Sequence, residues 1–156
     1  MNSLIIYESF HHGNTRKVAE AINEELKGTL ISVLDVQTVD LRQFDPIGFG
    51  SGVYYDDLHN TILAMGEREP LEGKHVFVFS TSKKGQTGPH ANIKTILEHR
   101  GALVLGDFAC RGYDTAGIWK LLGGRSKDHP DQEDLAQARA FARNVRKQME
   151  TDNGSL

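Results

Sequence analysis

The sequence predicts an α/β fold: a doubly wound, five-stranded parallel sheet with helices on both faces. Five short apolar runs carry this reading, at Leu4–Tyr7, Leu30–Val36, Ile47–Gly50, Val76–Ser80 and Leu103–Phe108. Most are continuous rather than alternating, as in strands covered on both sides. Helical patterns separate them, and strand–helix alternation of this kind gives parallel pairing with right-handed crossovers. The length of 156 residues and the 38% hydrophobic content suit one domain with a single core, expected over residues 1–150.

The first strand leads through Ser9-Phe10-His11-His12-Gly13-Asn14-Thr15 into a helix with Val18, Ile22 and Leu26 at four-residue spacing. Gly28 reads as the C′ glycine of that helix. A strand, a short loop of hydroxyls and glycine, and a helix start together form a phosphate site. The helix end offers unpaired N–H groups and a positive dipole. Ser9 and Thr15 add hydroxyls, Asn14 adds an amide, and Gly13 lets the backbone close on the anion. No lysine or arginine lies in the loop, which suits a parked cofactor better than phosphoryl transfer. The plainer alternative is a helix merely capped by Asn14 or Thr15.

The third strand runs into Gly50-Ser51-Gly52-Val53-Tyr54-Tyr55-Asp56, a tight turn expected to present flat aromatic surface at the sheet mouth. A helix over Leu58–Glu67, capped by Asp56 or Asp57, follows. The fourth strand ends in Ser80-Thr81-Ser82-Lys83-Lys84-Gly85, whose hydroxyls and backbone donors suit the edge of a heteroaromatic ring. The next helix starts near Pro89, buries Ile93, Ile96 and Leu97, and stops at Gly101. After the fifth strand, Arg111–Pro130 holds Tyr113 and Trp119 but no long periodic element, so it reads as a functional loop, either a cover or a docking surface. The last helix carries Leu135, Ala138, Phe141, Ala142, Val145 and Met149 on one face, and residues 151–156 read as a disordered tail. Ligands of open parallel sheets bind outside the carboxyl ends of the strands, which is where these loops gather.

With these three loops in this order, the chain resembles the flavodoxin-like family. Ser9 and Gly13-Asn14-Thr15 match its phosphate loop, and Gly50-Ser51-Gly52-Val53-Tyr54 its second loop. Leu71-Glu72-Gly73-Lys74, a β-rich strand and Ser80-Thr81-Ser82 match its fourth strand and third loop. The resemblance runs to about residue 148. It implies strand order 2-1-3-4-5 and flavin mononucleotide (FMN) as cofactor, with the phosphate on Ser9, His11, Gly13, Asn14 and Thr15. The ring would then lie against Ser51, Gly52, Val53 and one of Tyr54 and Tyr55, with Ser80, Thr81, Ser82, Lys83 and Gly85 at its edge. The implied role is electron transfer between redox partner proteins, a flavodoxin reductase-type donor and an acceptor. The alternative within flavoproteins is an oxidoreductase of quinone-reductase or protoporphyrinogen-oxidase type. The chain departs from the pattern at Phe10-His11-His12, where small hydroxyl residues are usual. It also departs at Lys83-Lys84, where uncharged or acidic residues are, and at Tyr55-Asp56, where a flexible glycine is.

Other classes fit poorly. The net charge is −3 and no Lys/Arg-rich run occurs, so no nucleic-acid partner is expected. No apolar stretch approaches the ~20 residues of a membrane span. The single cysteine, Cys110, excludes an intrachain disulfide and fits a reducing cytoplasm. A phosphatase loop would need an arginine at position 116, which is alanine. A response-regulator receiver would need acidic residues after the first strand and an aspartate ending the third. The chain offers only Glu8 and Gly48-Phe49-Gly50 there. The seven histidines are scattered without metal-ligand spacing, so no metal is expected.

Overall fold

Side chains of successive strand residues point to opposite faces of a sheet, so a continuous apolar run builds two cores at once. The computed structural model, which describes residues 1–9, 13–113 and 128–155, shows both. Its strands are β1 (Leu4–Tyr7), β2 (Thr29–Ser32), β3 (Ile47–Tyr54), β4 (Asp57–Leu58), β5 (His75–Ser82) and β6 (Leu103–Arg111). Its helices are α1 (Asn14–Leu26), α2 (Asn60–Arg68), α3 (Ala91–His99) and α4 (Gln132–Gly154). Five strands pair in parallel in the order β2-β1-β3-β5-β6, and β4 folds back antiparallel on β3. Counting only the parallel strands, this is the expected order.

Leu4, Ile6, Phe49, Val76 and Val78 pack with Ile62 and Met65 of α2 and Ile93 and Leu97 of α3. On the opposite face, Ile5, Phe77, Phe79 and Phe108 pack with α1 (Val18, Ile22, Leu26) and α4 (Ala138, Ala142, Val145). Among the described residues, no helix is long and apolar enough to cross a membrane.

Several elements depart from expectation for local reasons. The second strand ends at Ser32 rather than Val36, because the Ser32 hydroxyl accepts from the Leu34 amide and starts a 3₁₀ turn, Val33–Thr38. Gly28 is not the left-handed residue that ends α1; Lys27 is, with φ 52°. Gly28 is glycine because a Cβ there would lie 2.0 Å from the Ser3 hydroxyl oxygen. α2 starts at Asn60, capped by the His59 ring, which accepts from the Thr61 amide at 3.2 Å, and not by Asp56 or Asp57. α4 opens on a capping box between Asp131 and Asp134 and continues helical through residues 151–154, expected as tail.

β3 is where the reading from sequence differs most. The strand does not turn at Gly50–Gly52 but runs to Tyr54. Its glycines answer to packing: a Cβ on Gly48 would lie 2.3 Å from the Phe77 ring, and one on Gly50 2.1 Å from the Phe79 ring. The turn lies further on, at Tyr55-Asp56, between the paired residues Tyr54 and Asp57. At the sheet's far margin, Val76 pairs with Val104 but Phe77 with Gly106, so Leu105 is bulged out of the β6 ladder.

Candidate functional site

The carboxyl ends of β1, β3, β5 and β6 enclose a cleft of about 940 Å³. That is near the top of the roughly 300–1,000 Å³ usual for small-molecule sites. Its first wall is the start of α1. Gly13, with φ +64°, is the N-cap, so Asn14 and Thr15 fall inside the first helical turn and are not its caps. The first turn holds no acidic residue, and Ser9 Oγ accepts a long bond (3.4 Å) from the Arg16 amide. The positive helix end therefore opens on the cleft.

Asn14 and Thr15 do more than line this wall. Asn14 Nδ2 donates to the Tyr113 carbonyl at 2.8 Å, tying α1 to the chain after β6. The Thr15 and Thr81 hydroxyls meet at 2.9 Å, tying the first loop to the third. Asn14 Oδ1 is buried without a hydrogen-bond partner among the described residues. A cluster of neutral donors at a helix N-terminus fits a phosphate-bearing cofactor whose phosphate is held but not transferred, while the spare Asn14 oxygen, an acceptor, suits a ligand hydroxyl. His11, expected on the phosphate, lies outside the described residues, as does Trp119.

The second wall is the β3–β4 hairpin. Gly52, Val53, Tyr54 and Tyr55 line the cleft as expected. Tyr55 (φ 51°) and Asp56 (φ 61°) form a two-residue hairpin turn with both residues left-handed. Tyr55 stands at its tip, fully exposed, while the Tyr54 hydroxyl reaches the buried Glu8. Burial, then the charge and hydrogen bond of Glu8, push the Tyr54 phenol up to about 12. The His59 ring packs edge-on to Tyr54 at 5.1 Å. Ser51 does not reach the cleft. It is buried, accepting from the His59 amide at 2.9 Å and donating to the Gly52 carbonyl at 2.6 Å, so it braces the hairpin.

The third wall is the segment after β5. Thr81, Ser82 and Lys83 line the cleft, joined by Lys84, Gln86, Gly88 and Pro89. Gly85 sits behind it with φ +63°, where a Cβ would meet the Cys110–Arg111 backbone at 2.9 Å. Its amide donates to Ser82 Oγ at 2.9 Å, closing a tight turn. Ser80 also stays out of the cleft: it is fully buried and bonded to His90.

At the floor, Gly112 and Tyr113 belong to the cleft. A Cβ on Gly112 would lie 2.8 Å from Asn14 Nδ2, so glycine lets β6 close on α1. Cys110 is buried, and burial with the charges of Asp134 and Asp131 pushes its thiol up to about 12, so it is no nucleophile.

A family model described as a flavodoxin domain matches residues 4–112. An uncharacterized protein of Methanocaldococcus jannaschii is 36% identical over 149 residues, covering 94% of this chain and 99% of its own. A solved flavodoxin from the domain Archaea is similar at TM-score 0.69 and 19% identity, over 96% of this chain and 99% of that one. A flavoprotein of Lactobacillus acidophilus, solved in complex with FMN, is similar at TM-score 0.57 and 22% identity, over 70% of this chain and 92% of that one. At these identities the two solved structures speak to fold alone.

Proposed function

This chain belongs to the flavodoxin family, and from that premise we propose that it carries electrons between redox partner proteins on FMN bound in the cleft. The observation that carries the reading is the meeting of three walls at one sheet edge. One is an acid-free helix start with hydroxyl and amide donors, one an aromatic hairpin, and one a polar loop. Ser9, Gly13, Asn14 and Thr15 hold the phosphate. Gly52, Val53 and Tyr54 or Tyr55 flank the ring on one side, and Thr81, Ser82 and Lys83 on the other. Bound flavin supplies the redox chemistry, and the protein supplies orientation and electrostatics. The exposed Tyr55 and the exposed Lys83-Lys84 lip leave the mouth accessible to a protein partner, with a reductase-type donor and a separate acceptor as the expected pair.

The purified protein is expected to bind one FMN per chain. Replacing both Asn14 and Thr15 with alanine removes hydrogen bonds to a charged group, worth about 1.5–3 kcal/mol each. FMN affinity should then fall by at least tenfold more than riboflavin affinity, which loses only the ties to Thr81 and Tyr113. Equal losses for both ligands would take the phosphate away from this loop. For the role, reduction by a flavodoxin reductase is to be compared with steady-state turnover of quinones by pyridine nucleotide. Rapid quinone turnover without a protein donor would favour a small-substrate oxidoreductase instead.

A further inference from the structure

Ser80 and His90 are the two ends of the segment that forms the third wall, and they are bonded to each other. Ser80 Oγ lies 2.6 Å from His90 Nε2, and both residues are fully buried. His90 Nδ1 lies 2.9 Å from Asp107 Oδ2 on β6, and Lys94 Nζ reaches the same oxygen at 3.1 Å. A ring nitrogen facing a carboxylate carries the proton, so Nδ1–H donates to Asp107 and Nε2 accepts from the Ser80 hydroxyl. The order Ser–His–Asp is that of a hydrolytic triad, but Ser80 has no exposed surface and does not line the cleft, so no substrate reaches it.

We propose that His90 is the clasp of this wall, a positioning residue that closes residues 81–89 into a fixed loop and so sets how the flavin ring is held. The proposal rests on the flavin reading above. The geometry is that of a closed ring of chain: between the two bonded ends lie Thr81, Ser82, Lys83, Lys84, Gly88 and Pro89, all lining the cleft. Neighbouring strand residues point to opposite faces, so tethering Ser80 on the α3 side fixes Thr81 on the α1 side. There its hydroxyl meets Thr15 at 2.9 Å. Asp107 anchors the clasp to β6, so the wall is referenced to the sheet and not only to itself. Burial holds the imidazole neutral against the pull of Asp107, which keeps Nε2 free to accept.

The test is flavin titration by fluorescence quenching, with FMN and riboflavin, on Ser80→Ala, His90→Gln and the double variant, with visible circular dichroism of the bound flavin. Ser80→Ala removes one oxygen from a buried site and is expected to fold. Each single variant should weaken both flavins about tenfold, because the wall beside the ring, which both ligands share, is loosened, and should alter the flavin dichroism. The double variant should bind no more weakly than the weaker single one, because the two residues act as a unit. Unchanged affinity and dichroism in both single variants, even with a lowered melting temperature, would overturn the clasp; so would additive losses. If the wild type bound neither flavin, the cofactor reading would fail by itself. Amide exchange of residues 83–88 would then decide the clasp: faster exchange in Ser80→Ala upholds it, and unchanged exchange overturns it.

Discussion

At His75 both ring nitrogens face carboxylates, Nδ1 3.0 Å from Asp45 and Nε2 3.0 Å from Asp152. Burial opposes the charge, but the two carboxylates outweigh it and raise the imidazole above its ordinary 6.5. At His90 burial is again the largest influence and here prevails, holding the ring below 6.5 despite Asp107. Linkage gives these two residues opposite signs. The His75 contribution is fully present below about pH 6.5 and is lost as pH rises through its raised folded value. The His90 site costs stability as pH falls below about 6.5, where the unfolded chain binds the proton first. Melting curves from about pH 5 to 8 should therefore show the wild-type advantage over His75→Gln shrinking as pH rises. The advantage over His90→Gln should shrink as pH falls. Parallel curves for either variant would contradict the corresponding assignment. Neither site was legible in the sequence, since Asp45 and Asp152 lie 30 and 77 residues from His75 and only folding brings them together.

The β3–β4 hairpin shows why elements are harder to read than composition. The glycines at 50 and 52 followed by two tyrosines suggest a turn, since glycine is the usual turn residue. Here Gly50, like Gly48 before it, makes room for a phenylalanine ring across the sheet, a need that arises only from the β3–β5 register. The real turn uses Tyr55 and Asp56, neither of which advertises a left-handed backbone. Such a conformation costs roughly 1–2 kcal/mol for a residue with a Cβ, less for aspartate. Replacing Tyr55-Asp56 with Asn-Gly, the preferred pair for this turn, should raise unfolding stability by about 1 kcal/mol. Chemical denaturation of the flavin-free protein would measure it. A loss of stability would mean that the Tyr55 or Asp56 side chain compensates for the backbone. By contrast, the helix ending at Gly101 was legible, because that glycine has φ +80° and nothing distant is required to explain it.

Across the whole molecule, the parallel sheet and its two layers were legible because five apolar runs, most of them continuous, leave few other ways to bury them. The site was legible as three loops, and what the sequence withheld was which of their residues face inward. Ser51 and Ser80 are polar residues at the right edge whose side chains turn into the structure. Charge is also unevenly spread. The chain carries a net −3, yet Lys83 and Lys84 line the cleft, and among the described residues no carboxylate lies within 4.0 Å of either. A cation there favours the negative charge that reduction adds, by about 1 kcal/mol at an effective dielectric near 20. Lys83→Gln and Lys84→Gln should make the potential of the bound flavin more negative, and less so at high salt. Redox titrations at two ionic strengths would show it, and unchanged potentials would mean that both lysines act only on solvent. The bulge at Leu105 bears on the company the molecule keeps. Among the described residues, β6 and β2 are the two margins of the sheet, where another extended chain would try to add itself. At one margin the ladder is interrupted at Leu105, and Gln148 of α4 already donates to that residue's carbonyl at 3.2 Å. At the other, β2 offers only four residues before the backbone coils away. Strand-on-strand polymerisation therefore finds no clean template at either margin.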